Sequence, residues 1–146
     1  MYRTLSELRT AYELEKYRAY QAAEANLTEQ ILVLKESIGS VQSSASQREP
    51  VAGGAAQDAR WLNTLCDMDS ARQALESCRR KLRMIERGLS VLDERERLVL
   101  TRFHIDRQRG HVEKLCEELF LEKSQVYDLR EKALKRFTFA YLGTVE

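Results

Sequence analysis

The sequence predicts an all-α chain. A long antiparallel, coiled-coil-like helical hairpin occupies residues 1–92, and a compact helical unit follows in residues 93–146. Three observations predict this. A single proline stands among 146 residues, so little in the chain breaks a helix. Neither Gly nor Pro occurs from Thr4 to Ser37, where Leu, Glu, Ala, Lys, Arg and Gln dominate. From Leu62 to Leu92 apolar residues step mostly by threes and fours, the heptad spacing of a coiled-coil seam.

The first helix carries one apolar stripe through Leu5, Leu8, Tyr12, Ala19, Ala23, Leu27, Ile31, Leu34 and Ile38. The second, from Gln57 to Leu92, has a cleaner seam: Leu62, Leu65, Met68, Ala71, Leu75, Cys78, Leu82, Ile85, Leu89 and Leu92. At 1.5 Å per residue each helix is about 50 Å long. Gly39–Ala56 lies between them, rich in Ser, Gly, Ala and Gln and holding the proline, and reads as a flexible connector. Helices of matched length so joined fold back on each other. Two helices share only one narrow interface, and Tyr17, Tyr20 and Trp61 lie beside the seam. Either the C-terminal unit packs against the hairpin or a second copy does, and a homodimer in a four-helix arrangement is the expected outcome.

The remaining 54 residues read as three helices. Asp93 caps the first, with Glu96 three positions on as a variant of the capping box and Leu98, Val99, Leu100, Phe103 and Ile105 as its apolar side. A polar break, Asp106–Gly110, precedes a short helix over 112–119 with Val112, Leu115, Cys116 and Leu119 inward. Ser124 is the expected N-cap of a longer helix in which Val126, Leu129, Ala133 and Phe137 repeat at helical spacing. A short helix, a tight turn and a longer basic helix make the helix-turn-helix pattern.

Formal net charge is only +1, but the distribution is uneven. Lys123–Phe137 carries five basic and two acidic side chains, and Arg102–Gly110 carries three and one, while acidic residues gather in Glu113–Glu122. Local patches set the field a phosphate meets, so global neutrality does not argue against a nucleic-acid partner. The longest apolar run is four residues, too short for a membrane span. The N-terminal stretch has no apolar core or cleavage pattern, so no secretion is expected. Three cysteines at unrelated spacings fit a reducing cytoplasm rather than a disulfide framework.

The stretch LDERERLVLTRFHID…VEKLCEELFLEKSQVYDLREKALKRF resembles the C-terminal promoter-reading part of sigma factors, region 4. It is most similar to phage-encoded relatives of the RinA and ArpU type, regulators of late phage genes. Glu96-Arg97-xx-Leu100, Leu115-Cys116-xx-Leu119, and Ser124-x-Val126-Tyr127 leading to Lys132-Ala133-Leu134 carry the resemblance. Val41–Gln47 is similar to the Ser-Gln-rich segment that interrupts the charged hairpin of that group. The resemblance implies DNA binding near a promoter, with host RNA polymerase as a partner. Two departures stand against it. Phe120 occupies a position where family members commonly have Gly, at a cost of roughly 1–2 kcal/mol if the left-handed conformation is kept. The aromatic region with which a complete sigma factor captures the melted strand has no counterpart in the hairpin. An activator that recruits polymerase is therefore the expected reading, not a replacement sigma factor.

The residues of the long helix support the same chemistry. The first turn and a half of such a helix enters the major groove, which puts Lys123, Ser124, Gln125, Tyr127 and Asp128 nearest the base edges. Gln pairs bidentately with adenine, and Asp accepts from cytosine N4. Lys132, Lys135 and Arg136 are placed to reach phosphates, as are Arg130 and the Arg107/Arg109 pair before the motif. The bland reading of all these is a solvated helix face.

Nothing argues for an enzyme or a cofactor. Cys66, Cys78 and Cys116, with His104 and His111, lack the paired spacing of a zinc site. Cys116 and His111 lack the context of a nucleophile and its base, and Gly53-Gly54 has no phosphate-loop Lys after it. Arg79-Arg80-Lys81-x-Arg83 reads as a solvated face. The alternative function is a DNA-binding component of phage packaging similar to a small terminase subunit, which also combines a helix-turn-helix with helical oligomerisation.

Overall fold

The computed structural model describes residues 4–45 and 54–143, with side chains for 4–40 and 58–143. Every regular element among them is helical. In order these are α1 (Leu5–Glu15), α2 (Tyr17–Ala45), α3 (Gly54–Ser90), α4 (Glu94–Leu100), α5 (His111–Leu119) and α6 (Lys123–Leu142). A π-helical turn, Thr101–Ile105, continues α4 and closes with Asp106 N–H donating to the Thr101 carbonyl at 2.8 Å. No described helix is long and apolar enough to cross a membrane.

The compact units do not divide at residue 92. Met1–Tyr20 and Lys81–Glu146 form one unit, and Gln21–Arg80 forms the other. The reason lies in what α1 and the end of α3 bury. Ala11, Leu14, Ile85, Leu92, Leu100, Ala133, Leu134, Phe137 and Tyr141 make one core of the first unit. Val99, Phe103, Val112, Leu115 and Val126 make a second core between α4, the π-turn, α5 and α6. In the other unit Ile31 packs with Ala71 and Leu75, backed by Leu27, and Arg79 stands 3.6 Å from Glu24. Partners thus descend along α3 as they climb along α2.

Four expectations about the helices change. First, the helix expected over 4–37 is interrupted at Lys16, and its apolar stripe fails in α1: Leu5 is 84% exposed, and Leu8 and Tyr12 are also exposed. Glu7, Thr10, Ala11, Glu13 and Leu14 are buried instead. At Thr10 and Ala11 the face is small where α6 approaches closely, with Thr10 Oγ1 and Thr138 Oγ1 2.7 Å apart in the core. Second, Gly39–Ala56 is not a connector throughout. Residues 39–45 continue α2 and 54–56 begin α3, while 46–53 lie outside the described residues. Each residue added to an existing helix gains a hydrogen bond, which offsets a penalty of about 1 kcal/mol for Gly and less for Ser. Third, most of the seam that motivated the hairpin dimer is covered within one chain. Met68, Ala71, Leu75, Cys78, Leu82, Ile85 and Leu92 are buried, Leu65 and Leu89 are partly buried, and Leu62 is 56% exposed. Fourth, Glu122 rather than Ser124 caps α6.

Two contacts fix α6. Phe137 is fully buried, and its ring lies where a Cβ on Gly88 of α3 would stand, 2.6 Å from Cε2. Arg136 hydrogen-bonds the fully buried Glu96 and donates to the Val91 carbonyl at 2.9 Å. Glu96 also closes the expected capping box. Its N–H donates to Asp93 Oδ1 at 2.8 Å, and its carboxylate accepts from Asp93 N–H at 3.4 Å. The bond from the Glu96 N–H holds the Asp93 carboxyl below its ordinary pKa.

Gly88→Ala should lower the melting temperature, although Ala in a helix interior is normally worth about 1 kcal/mol over Gly. The sign is the test: an unchanged or raised melting temperature would show that Phe137 has room to shift.

Candidate nucleic-acid interface

The π-turn places Phe103 as an aromatic hub. His111, the first residue of α5, meets its ring edge-on at 4.7 Å between centroids, and Tyr127 of α6 meets it at 5.7 Å. The Arg130 guanidinium lies 5.0 Å over the same ring, a cation–π contact. Around this hub, Glu15, Phe103, His104, Arg107, His111, Tyr127 and Arg130 line a polar cavity of about 170 Å³. His111 Nδ1 lies 3.0 Å from the Gln108 carbonyl, which accepts its proton. His104 is buried, and burial together with Arg130, Arg107 and His111 drives its pKa down to about 4.

One helical turn away, Arg95, Leu121, Gln125, Asp128, Leu129 and Lys132 line a shallow groove. Arg95 donates to the Leu119 carbonyl at 3.1 Å and so closes the end of α5. Gln125, Asp128, Lys132 and Lys135 recur on the side of α6 opposite the buried Val126, Ala133 and Phe137.

The structure therefore divides the expected contact residues. Arg107, Tyr127 and Arg130 gather in the cavity, together with His104 and His111, which the sequence offered no reason to join to them. Gln125, Asp128 and Lys132 gather in the groove. Lys123 and Ser124 are exposed on the first turn of α6, Arg109 is exposed before α5, and Lys135 is half-buried. Arg136 is committed to Glu96 and Val91. Gln125 differs from its expected role in one respect: its Oε1 accepts the Glu122 N–H at 2.9 Å as part of the α6 cap. Its second lone pair and its amide N–H groups remain for other partners. Among the described residues no three His, Cys, Asp or Glu stand together as a metal-holding group.

Comparison with protein-family models, with curated proteins and with solved structures gives no match for this chain.

The low pKa of His104 has a consequence for stability. Its folded value of about 4 lies below the ordinary 6.5, so the unfolded chain binds a proton that the folded chain refuses. Stability should fall as pH drops from about 6.5 towards about 4 and lose no more from this group below that. Urea unfolding across that range should show a shallower pH dependence in His104→Gln than in the unaltered chain. Parallel dependences would mean that His104 accepts a proton in place.

Proposed function

We propose that the chain is a sequence-specific double-stranded DNA-binding regulator of transcription. In this reading α5, the connection over 120–122 and α6 form a helix-turn-helix, and α2 and α3 form an antiparallel hairpin. The observation that carries the proposal is the sorting of side chains on α6. Uncommitted polar groups suited to base edges, Ser124 and Asp128, share an exposed face with Lys132, while Arg130 joins Arg107 in an adjacent polar cavity that also holds His104, His111 and Glu15.

Chemistry then assigns roles. Asp128 accepts from a cytosine or adenine amino group in the major groove. Gln125 donates through its amide nitrogen while its oxygen holds the cap. Lys123, Lys132 and Lys135 reach phosphates, and Arg107 and Arg130 with His111 seat another at the cavity mouth. Arg136 serves the fold. The resemblance to phage late regulators supplies the setting: an activator at a phage or prophage promoter in a bacterial cytoplasm, with host RNA polymerase as its partner.

Selection from random duplexes, followed by titration of variants, tests this. Asp128→Ala should cost about 1–3 kcal/mol at one or two base pairs and leave other sequences nearly unaffected. Lys132→Ala should weaken every duplex alike and reduce the slope of log K against log salt by about 0.9. If Asp128→Ala instead binds all duplexes more tightly and to the same degree, Asp128 is a repelling surface charge. Failure of the selection to enrich any sequence would remove the regulatory reading.

A further inference from the structure

Phe120 is an aromatic residue in a conformation that suits glycine. Its φ of 56° and ψ of 43° are left-handed, and its side chain is 93% exposed. The turn is fixed by the backbone, with the N–H groups of Phe120 and Leu121 both directed to the Cys116 carbonyl, the latter at 3.2 Å. Among the described residues nothing covers the ring, whereas a glycine would adopt the same turn without strain and without an apolar side chain in water. Carboxylates flank it on both sides: Glu117 and Glu118 before, Glu122 after, all exposed. Glu118 is paired with Arg102 at 3.1 Å, and Glu117 and Glu122 are the other acids beside the ring.

At the other end of α6 lies the counterpart. A groove of about 740 Å³ has Val91, Phe139 and Ala140 as its apolar lining and Arg87 and Lys135 on its cationic rim, beside Arg136, which is held by Glu96. Val91 is 49% and Phe139 54% exposed. The groove therefore fits an apolar side chain with acidic neighbours. Phe120, with Glu117 and Glu122 beside it, has that chemistry.

We propose that a second copy of this chain seats its Phe120 turn in the groove formed by Val91, Lys135 and Phe139. Docking within one chain is excluded by length, since α6 runs unbroken from Lys123 to Lys135, about 18 Å at 1.5 Å per residue. The contact pairs two different patches, so it builds an open chain or a ring unless two copies exchange turns reciprocally. It shares Lys135 with the proposed DNA face, so its test is run without DNA, and it supplies an association surface other than the buried part of the α3 seam.

Complementation between two variants, followed by light scattering at micromolar to hundred-micromolar concentration without DNA, tests the contact. Phe120→Gly keeps the turn and removes the ring, while Phe139→Glu keeps the turn and charges the groove. Each alone should associate at least tenfold more weakly than the unaltered chain, with circular dichroism unchanged. Mixed in equal amounts they should form a one-to-one complex, because one retains the groove and the other the ring. Val91→Glu replaces Phe139→Glu if the latter loses helicity. An unaltered chain that stays monomeric throughout, a Phe120→Gly chain that associates as before, or a mixture that fails to pair would each overturn the proposal.

Discussion

Phe137 has no room to move, because α3 passes its ring at Gly88 and nothing larger than a hydrogen fits between them. That fit sets where α6 lies, and α6 is the element on which both the core and the candidate interface depend. Around the ring close Ala11 and Leu14 from α1, Ile85 and Leu92 from the end of α3 and its exit, and Leu100 from α4. A close-packed core of this kind loses stability with each misplaced methylene, whereas an exposed helix face does not. The helix is therefore pinned through its C-terminal half and left free to present polar chemistry at its start.

The second constraint is ionic. Glu96 is buried with its charge, a costly placement unless the partner is well oriented and further hydrogen bonds are made. Arg136 and the Asp93 N–H both meet Oε1, while the buried Oε2 has no hydrogen-bond partner among the described residues. Three features thereby become one unit: the cap of α4, the carbonyl of Val91 at the exit from α3, and the middle of α6. Removing either charged partner would strand the other, so the pair specifies the register of α4 against α6 more than it adds stability.

Much of this was legible in the chain. The Asp93/Glu96 cap, the inward residues of α5 and α6, and the lower seam from Met68 to Leu92 follow from spacing alone, because large apolar residues at three- and four-residue steps leave few alternatives. The inner face of α1 was not legible. It buries Thr10, Ala11 and two glutamates while Leu5 and Leu8 stay in water, a choice that only the close approach of α6 explains. The unit boundary was hidden for the same reason, since α1 serves helices a hundred residues away. At the candidate interface the lysines and Asp128 could be read from helical phase. The cavity could not, because Phe103 enters it through a π-helical turn that shifts the phase, and no periodicity announces His104 and His111 beside Arg130.

The central claim is that the start of α6 and the neighbouring polar cavity meet duplex DNA. Two-dimensional amide spectra of the full chain, recorded during titration with a selected duplex, test it most directly. The account predicts shifts concentrated in residues 107–111 and 123–132, with the amides of 21–40 nearly still and a scrambled duplex giving weaker changes. Shifts confined to α2 and α3, or none at a saturating excess of duplex, would contradict it.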